Sequence, residues 1–176
     1  MNLPNILSLS RIFLTVPIII FFYKSFYLIS LIIFIMAAIT DYLDGYIARK
    51  KNQNSDQGAL LDLLSDKIFV SVLLIWMTFS FDSLLILLST LFIVSREITV
   101  SYFRLYLVSK SFSIDDVKAD VLGKLKTSFQ MIGLALILIS PCFSILVFYT
   151  SATFLMLSAI FSWVSLLNYF KKWYEN

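Results

Sequence analysis

Long apolar runs separated by short polar clusters fill this chain, and their lengths match a bilayer better than a globular core. A hydrocarbon layer about 30 Å thick is crossed by an α-helix of about 20 residues, at about 1.5 Å of rise per residue. Six stretches reach that length: Leu3–Tyr23, Phe26–Tyr46, Ala59–Ser80, Leu84–Val108, Val121–Ile139 and Cys142–Phe170. The fifth begins with Gly123, Lys124 and Lys126 and becomes continuously apolar only near Met131, so its first turn is expected at the interface. No basic run precedes the first stretch and no small-residue cleavage site follows it, so it reads as a retained span. The pattern predicts an all-α integral membrane protein with six transmembrane helices, organised as a single domain over residues 1–176.

Composition agrees with the pattern. Hydrophobic residues make up 60% of the chain and charged residues 14%, against about 45–50% and about 25% in soluble domains, which excludes a water-soluble fold. The basic residues sort to one side. Arg49, Lys50, Lys51, Lys110, Lys118, Lys171 and Lys172 share a face, with Lys124 and Lys126 close by, whereas the opposite face holds only Lys24. By the positive-inside rule both termini are cytoplasmic, and the turns near Lys24, Phe81 and Pro141 face outward. With no histidine and the single cysteine Cys142, neither a histidine base nor an internal disulfide is available. Polar chemistry falls to carboxylates, basic side chains and hydroxyls.

The acids concentrate around one short cytoplasmic loop. Asp41, Asp44, Gly45 and Ala48 fall on one stripe at the end of the second helix, since offsets of three, four and seven return to the same face. Gly58, Asp62 and Asp66 repeat the device at the start of the third. Two like charges about 4 Å apart repel by about 4 kcal/mol at an effective dielectric of 20, so the cluster requires positive charge. Arg49, Lys50, Lys51 and Lys67 could supply it as ion pairs. Alternatively, oxygen-only ligands suit Mg²⁺, Mn²⁺ or Ca²⁺, and Gly45, Ala48 and Gly58 leave room beside the stripe for a ligand. Paired cations held by carboxylates are a recurrent device of phosphoryl transfer.

From Asp41 to Asp66 the residues spell D-x2-D-G-x2-A-R-x8-G-x3-D-x3-D without a departure. This resembles the signature of the CDP-alcohol phosphatidyltransferase family. The resemblance implies a bundle of six transmembrane helices, usually homodimeric, with its site open to the cytoplasm and the bilayer. It implies two divalent cations, Mg²⁺ or Mn²⁺, held by Asp41, Asp44, Asp62 and Asp66, with Asp66 also accepting the proton of the incoming alcohol. CDP-diacylglycerol would be contacted by Gly45, Ala48, Arg49, Ser55 and Gly58, and by Asn5, which serves equally well as a helix-start cap.

The fourth stretch carries Arg96-Glu97 and Arg104 inside apolar sequence. A guanidinium there costs on the order of 3 kcal/mol, so it needs a role. Arg96 and Arg104 lie about 12 Å apart along one helix face and, with Lys124 and Lys126, could frame an anionic pocket. Arginine's planar fork suits phosphate. Arg96 could instead pair with Glu97 or an active-site acid, and the two lysines could be interfacial anchors. Asn2-Leu3-Pro4-Asn5-Ile6-Leu7 with Ser10-Arg11, the Arg96–Arg104 run, and Gly123-Lys124-Leu125-Lys126-Thr127 with Gln130-Met131 resemble the branch of the family that forms phosphatidylglycerophosphate. That branch joins CDP-diacylglycerol to sn-glycerol 3-phosphate and releases CMP, on the cytoplasmic side of the plasma (inner) membrane, among membrane lipids and without nucleic acid. Sister enzymes accept inositol phosphate, phosphatidylglycerol or serine. A divalent-cation transporter is the remote alternative, disfavoured because the outer halves, such as Leu28–Ile35 and Val70–Trp76, are nearly all apolar.

Overall fold

Among the described residues, six long helices form where the apolar runs lie: α1 (Leu3–Tyr23), α2 (Tyr27–Lys50), α3 (Asp56–Phe81), α4 (Leu84–Ser109), α5 (Val121–Ile139) and α6 (Ile145–Tyr174). The computed structural model describes residues 3–50, 56–109 and 121–174, with side chains placed for residues 8–40, 61, 64–102, 125–167 and 170. Among the described residues there is no β-strand. Among the residues with placed side chains, four helices are long and apolar enough to cross a membrane, over Leu64–Phe81, Leu84–Tyr102, Leu125–Cys142 and Ile145–Leu167, while α1 and α2 contribute the shorter apolar segments Ser8–Tyr23 and Tyr27–Thr40.

The helix ends differ from the hydropathy boundaries for a physical reason. Apolarity marks what lipid covers, but a helix continues as long as its backbone bonds and propensities allow. Thus α2 runs on through Ile47-Ala48-Arg49-Lys50, and α3 begins at Asp56 rather than Ala59. In the other direction, α6 starts at Ile145 rather than Cys142, because Pro141 sits in a separate 3-10 turn, Ser140–Cys142. The sharpest stop is at the end of α1. Ser25 adopts a left-handed conformation (φ 64°), the Ser25 amide donates to the Phe22 carbonyl at 2.9 Å and the Phe26 amide to the Phe21 carbonyl at 2.9 Å. This is the Schellman arrangement, completed by edge contact between the Phe21 and Phe26 rings at 6.3 Å. It turns the chain straight back, so α2 packs antiparallel along α1.

α1 packs on both α2 and α3, α4 packs on α3 and α6, and α5 packs on α6 and α2. Ile18, Phe34, Phe69, Leu73, Met77 and Leu134 are among the residues of the shared core. Outward-facing positions are apolar too, including Phe13, Ile32, Phe79, Leu91 and Leu146, the expected surface for lipid contact rather than water.

The α5–α6 seam matters for the site because it carries Lys126. Gly133 lies in close contact there: a Cβ added to it would sit 2.8 Å from Leu155 Cγ and 3.3 Å from the Leu155 backbone nitrogen. Ser158 Oγ donates to the Lys126 carbonyl at 2.8 Å in the same seam. Gly133→Leu should therefore force the helices apart and cost about 1–3 kcal/mol, read as a lowered melting temperature in detergent. Wild-type melting behaviour in that variant would show that the seam is not tightly packed.

Candidate functional site

Helix register brings the two halves of the aspartate motif to one level. Ser30 Oγ donates to the Ile18 carbonyl at 2.9 Å, which aligns α1 with α2. Phe34 and Phe69 stack at 5.7 Å, which aligns α2 with α3. Stepping one turn from that stack places Ala37 level with Asp66, and two turns place Asp41 level with Asp62. The α1–α2 alignment independently sets Arg11 level with Ala37, and Arg11 is indeed bonded to Asp66. Both routes give the same register.

Asp41, Asp44, Gly45, Ala48 and Arg49 thus lie on the C-terminal half of α2, and Gly58 and Asp62 on the first third of α3. Their side chains lie outside the described residues, as does Ser55 altogether. Asn5 falls within the first turn of α1, because the helix already includes Leu3, so it does not stand ahead of the helix as a start cap.

Asp66 is the acid of the motif whose carboxylate is described. Its side chain is 47% exposed, and it forms an ion pair with Arg11, whose side chain is 1% exposed. In sequence, Arg11 stands out only as part of a soft motif. The signal that could have found it is energetic: a guanidinium within an apolar helix requires an anionic partner. Here the partner is the acid expected to take the acceptor's proton, so Arg11 offsets its charge and fixes its orientation.

A second polar centre lies beside this one. Glu97 on α4 receives hydrogen bonds from the Arg96 guanidinium at 3.0 Å and from the Lys126 amine, and Lys67 Nζ lies 3.8 Å from its other oxygen. Arg96 also donates through Nε to the Ser162 carbonyl at 3.1 Å. Lys67 also donates to Ser101 Oγ and to the Glu97 carbonyl at 3.3 Å. The Lys67–Ser101 contact shares its α3–α4 register with Thr78–Thr90, whose hydroxyls meet at 2.9 Å. Three cations around one carboxylate leave a net charge of +2 in a largely buried setting, which favours an anion.

Two of the four residues expected to bind an anionic acceptor, Arg96 and Lys126, are therefore brought together, on Glu97. Arg104 lies on α4 and Lys124 on α5, with side chains outside the described residues. Among its described contacts Lys67 reaches Ser101 and Glu97. Its α4 partners sit four residues apart on one helix face, a spacing visible in sequence, but only packing could pair that face with α3. Because Lys67 directly follows Asp66, the cationic centre and the aspartate motif adjoin.

The donor chemistry fits divalent cations. Every candidate ligand is a carboxylate, Asp66 is accessible, and Cys142 sits far along the chain in the 3-10 turn. Oxygen-only donors match Mg²⁺ or Mn²⁺.

Comparison with known proteins gives a consistent result. The family model described as CDP-alcohol phosphatidyltransferase matches residues 1–167. A protein of Wigglesworthia glossinidia brevipalpis is 36% identical over 175 residues, covering 97% of this chain and 93% of its own length. Proteins of Escherichia coli (strain K12) and Salmonella choleraesuis (strain SC-B67) are each 33% identical, covering 96% of this chain and 92% of their own lengths. All three carry the name CDP-diacylglycerol–glycerol-3-phosphate 3-phosphatidyltransferase.

Proposed function

This chain belongs to the CDP-alcohol phosphatidyltransferase family, and from that premise we propose that it transfers the phosphatidyl group of CDP-diacylglycerol to sn-glycerol 3-phosphate. The products are phosphatidylglycerophosphate and CMP. The names of its relatives support the reaction. The observation that carries the acceptor's identity is the adjacency of Asp66 to a centre of net positive charge through the consecutive residues Asp66 and Lys67.

In this reading the chain forms six transmembrane helices with both termini cytoplasmic, in the plasma (inner) membrane, and works as a homodimer. Asp41, Asp44, Asp62 and Asp66 would hold two divalent cations, Mg²⁺ or Mn²⁺, which withdraw charge from the diphosphate and stabilise the departing CMP. Gly45, Ala48, Arg49, Ser55, Gly58 and Asn5 line the nucleotide's side of the site. Arg96, Lys126, Arg104 and Lys124 hold the acceptor's phosphate, which leaves its hydroxyl toward Asp66. Asp66 accepts the hydroxyl proton as the oxygen attacks the β-phosphorus in line, and the bond from that phosphorus to CMP breaks. No covalent enzyme intermediate forms. A cation carrier would need a polar route through the outer half, where the hydroxyls of Ser30, Thr78 and Thr90 bond within the bundle.

Label transfer from CDP-diacylglycerol to each candidate alcohol, measured in detergent, tests the assignment. Glycerol 3-phosphate should be the preferred acceptor over inositol phosphate, phosphatidylglycerol and serine. Preference for another acceptor would remove the branch assignment while keeping the chemistry.

A further inference from the structure

Among the described residues, four charges meet at the α3–α4–α5 junction; three are positive, and the negative one, Glu97, holds them together. The side chains of Lys126 and Arg96 are 9% and 8% exposed and that of Glu97 is 16% exposed. Ser162 and Ser101 give Arg96 and Lys67 further anchors. Lys126 depends on Glu97 for its described side-chain partner. Without that carboxylate a buried ammonium would face two other cations with no counter-charge, and burial of an uncompensated charge is strongly unfavourable.

The sum of the charges also carries information. Lys67, Arg96 and Lys126 with Glu97 total +2, and a phosphomonoester near neutral pH carries about −1.5 to −2. The glutamate thus offsets one of the three described cations and leaves them, together, still positive enough to receive a phosphomonoester.

We infer that Glu97 is a positioning residue for the acceptor: its carboxylate gathers Lys67, Arg96 and Lys126 into one cradle that receives the acceptor's phosphomonoester. The inference rests on the proposed use of glycerol 3-phosphate and adds to it both Glu97 and Lys67, the latter as a member of the cradle. Glu97 touches neither the reacting phosphorus nor the attacking hydroxyl. Its effect passes through the three cations.

Steady-state kinetics of the purified full-length protein in detergent test it, with separate titrations of glycerol 3-phosphate and CDP-diacylglycerol. Glu97→Gln keeps the side chain's shape and removes its charge. It should raise KM for glycerol 3-phosphate about tenfold or more, the scale of a lost charge-assisted contact, and leave KM for CDP-diacylglycerol within about twofold. Competitive inhibition by inorganic phosphate should weaken in parallel. Glu97→Asp, which keeps the charge on a shorter stem, should give an intermediate KM, about threefold above wild type. If the Gln variant fails to fold, this Asp shift alone decides.

An unchanged or lowered KM for glycerol 3-phosphate would overturn the inference, the latter because Glu97 would then be competing with the phosphate. Equal rises in both KM values would overturn it as well, since a general structural defect predicts them. Failure of the wild-type protein to use glycerol 3-phosphate would instead overturn the functional reading on which the inference rests, and the wild-type titration reports that separately.

Discussion

Asp66→Asn is expected to lower turnover by about a thousandfold or more while leaving the protein expressed and membrane-inserted. The two side chains have nearly the same shape, so packing against α1 has little reason to change. The chemistry differs twice over. An amide cannot accept the alcohol's proton as the new bond to phosphorus forms, and a positioned general base is worth about 10²–10⁴-fold. The variant also removes one carboxylate from the group proposed to hold the cations. Arg11 supplies a counter-effect on stability, because its buried guanidinium keeps a hydrogen-bond acceptor in the introduced amide's carbonyl but loses the facing charge. A modest fall in melting temperature should accompany the loss of turnover, and the two can be measured on one preparation. Turnover within tenfold of wild type would remove Asp66 from the reaction. Capture of a phosphorylated wild-type enzyme during turnover would refute the direct in-line route.

Chelation of divalent cations should have a comparable effect. With EDTA present, label transfer should fall to background, and added Mn²⁺ or Mg²⁺ should restore it. The reason is electrostatic: four carboxylates cannot grip a diphosphate without positive charge between them. Manganese supplies a second readout, because its bound fraction can be followed by spin resonance without substrate. Binding should fall sharply in Asp41→Asn and Asp62→Asn, at positions the helix register places level with each other. Activity that survives EDTA, or manganese binding unaffected in both variants, would leave the aspartates as interfacial ion pairs.

Much of the fold was legible before any coordinates, because a bilayer imposes one length scale on every spanning helix. All six helices coincide with apolar runs read directly from sequence. Their ends were less legible. Lipid contact ends where polarity begins, whereas a helix ends where its backbone is capped or blocked, as at Ser25 and Pro141. The aspartate motif was legible because its acids recur at helical spacing within a short stretch of chain. Arg96 announced itself by the cost of burying it.

Glu97's place at the centre of three cations was not legible, nor was Arg11's bond to Asp66. Arg11 and Asp66 are 55 residues apart in the chain, and Lys126 and Glu97 are 29 apart. Local periodicity assigns each residue a face on its own helix but cannot say which other helix meets that face. What the sequence determined by itself was therefore membrane residence, helix number and the acidic signature, all properties of single segments under one solvent constraint. The tertiary structure alone decided the pairing of charges between segments, because that pairing follows from which helices pack together and in what register. Burying ions in so apolar a bundle is tolerable only where packing brings opposite charge or hydrogen-bond partners to them.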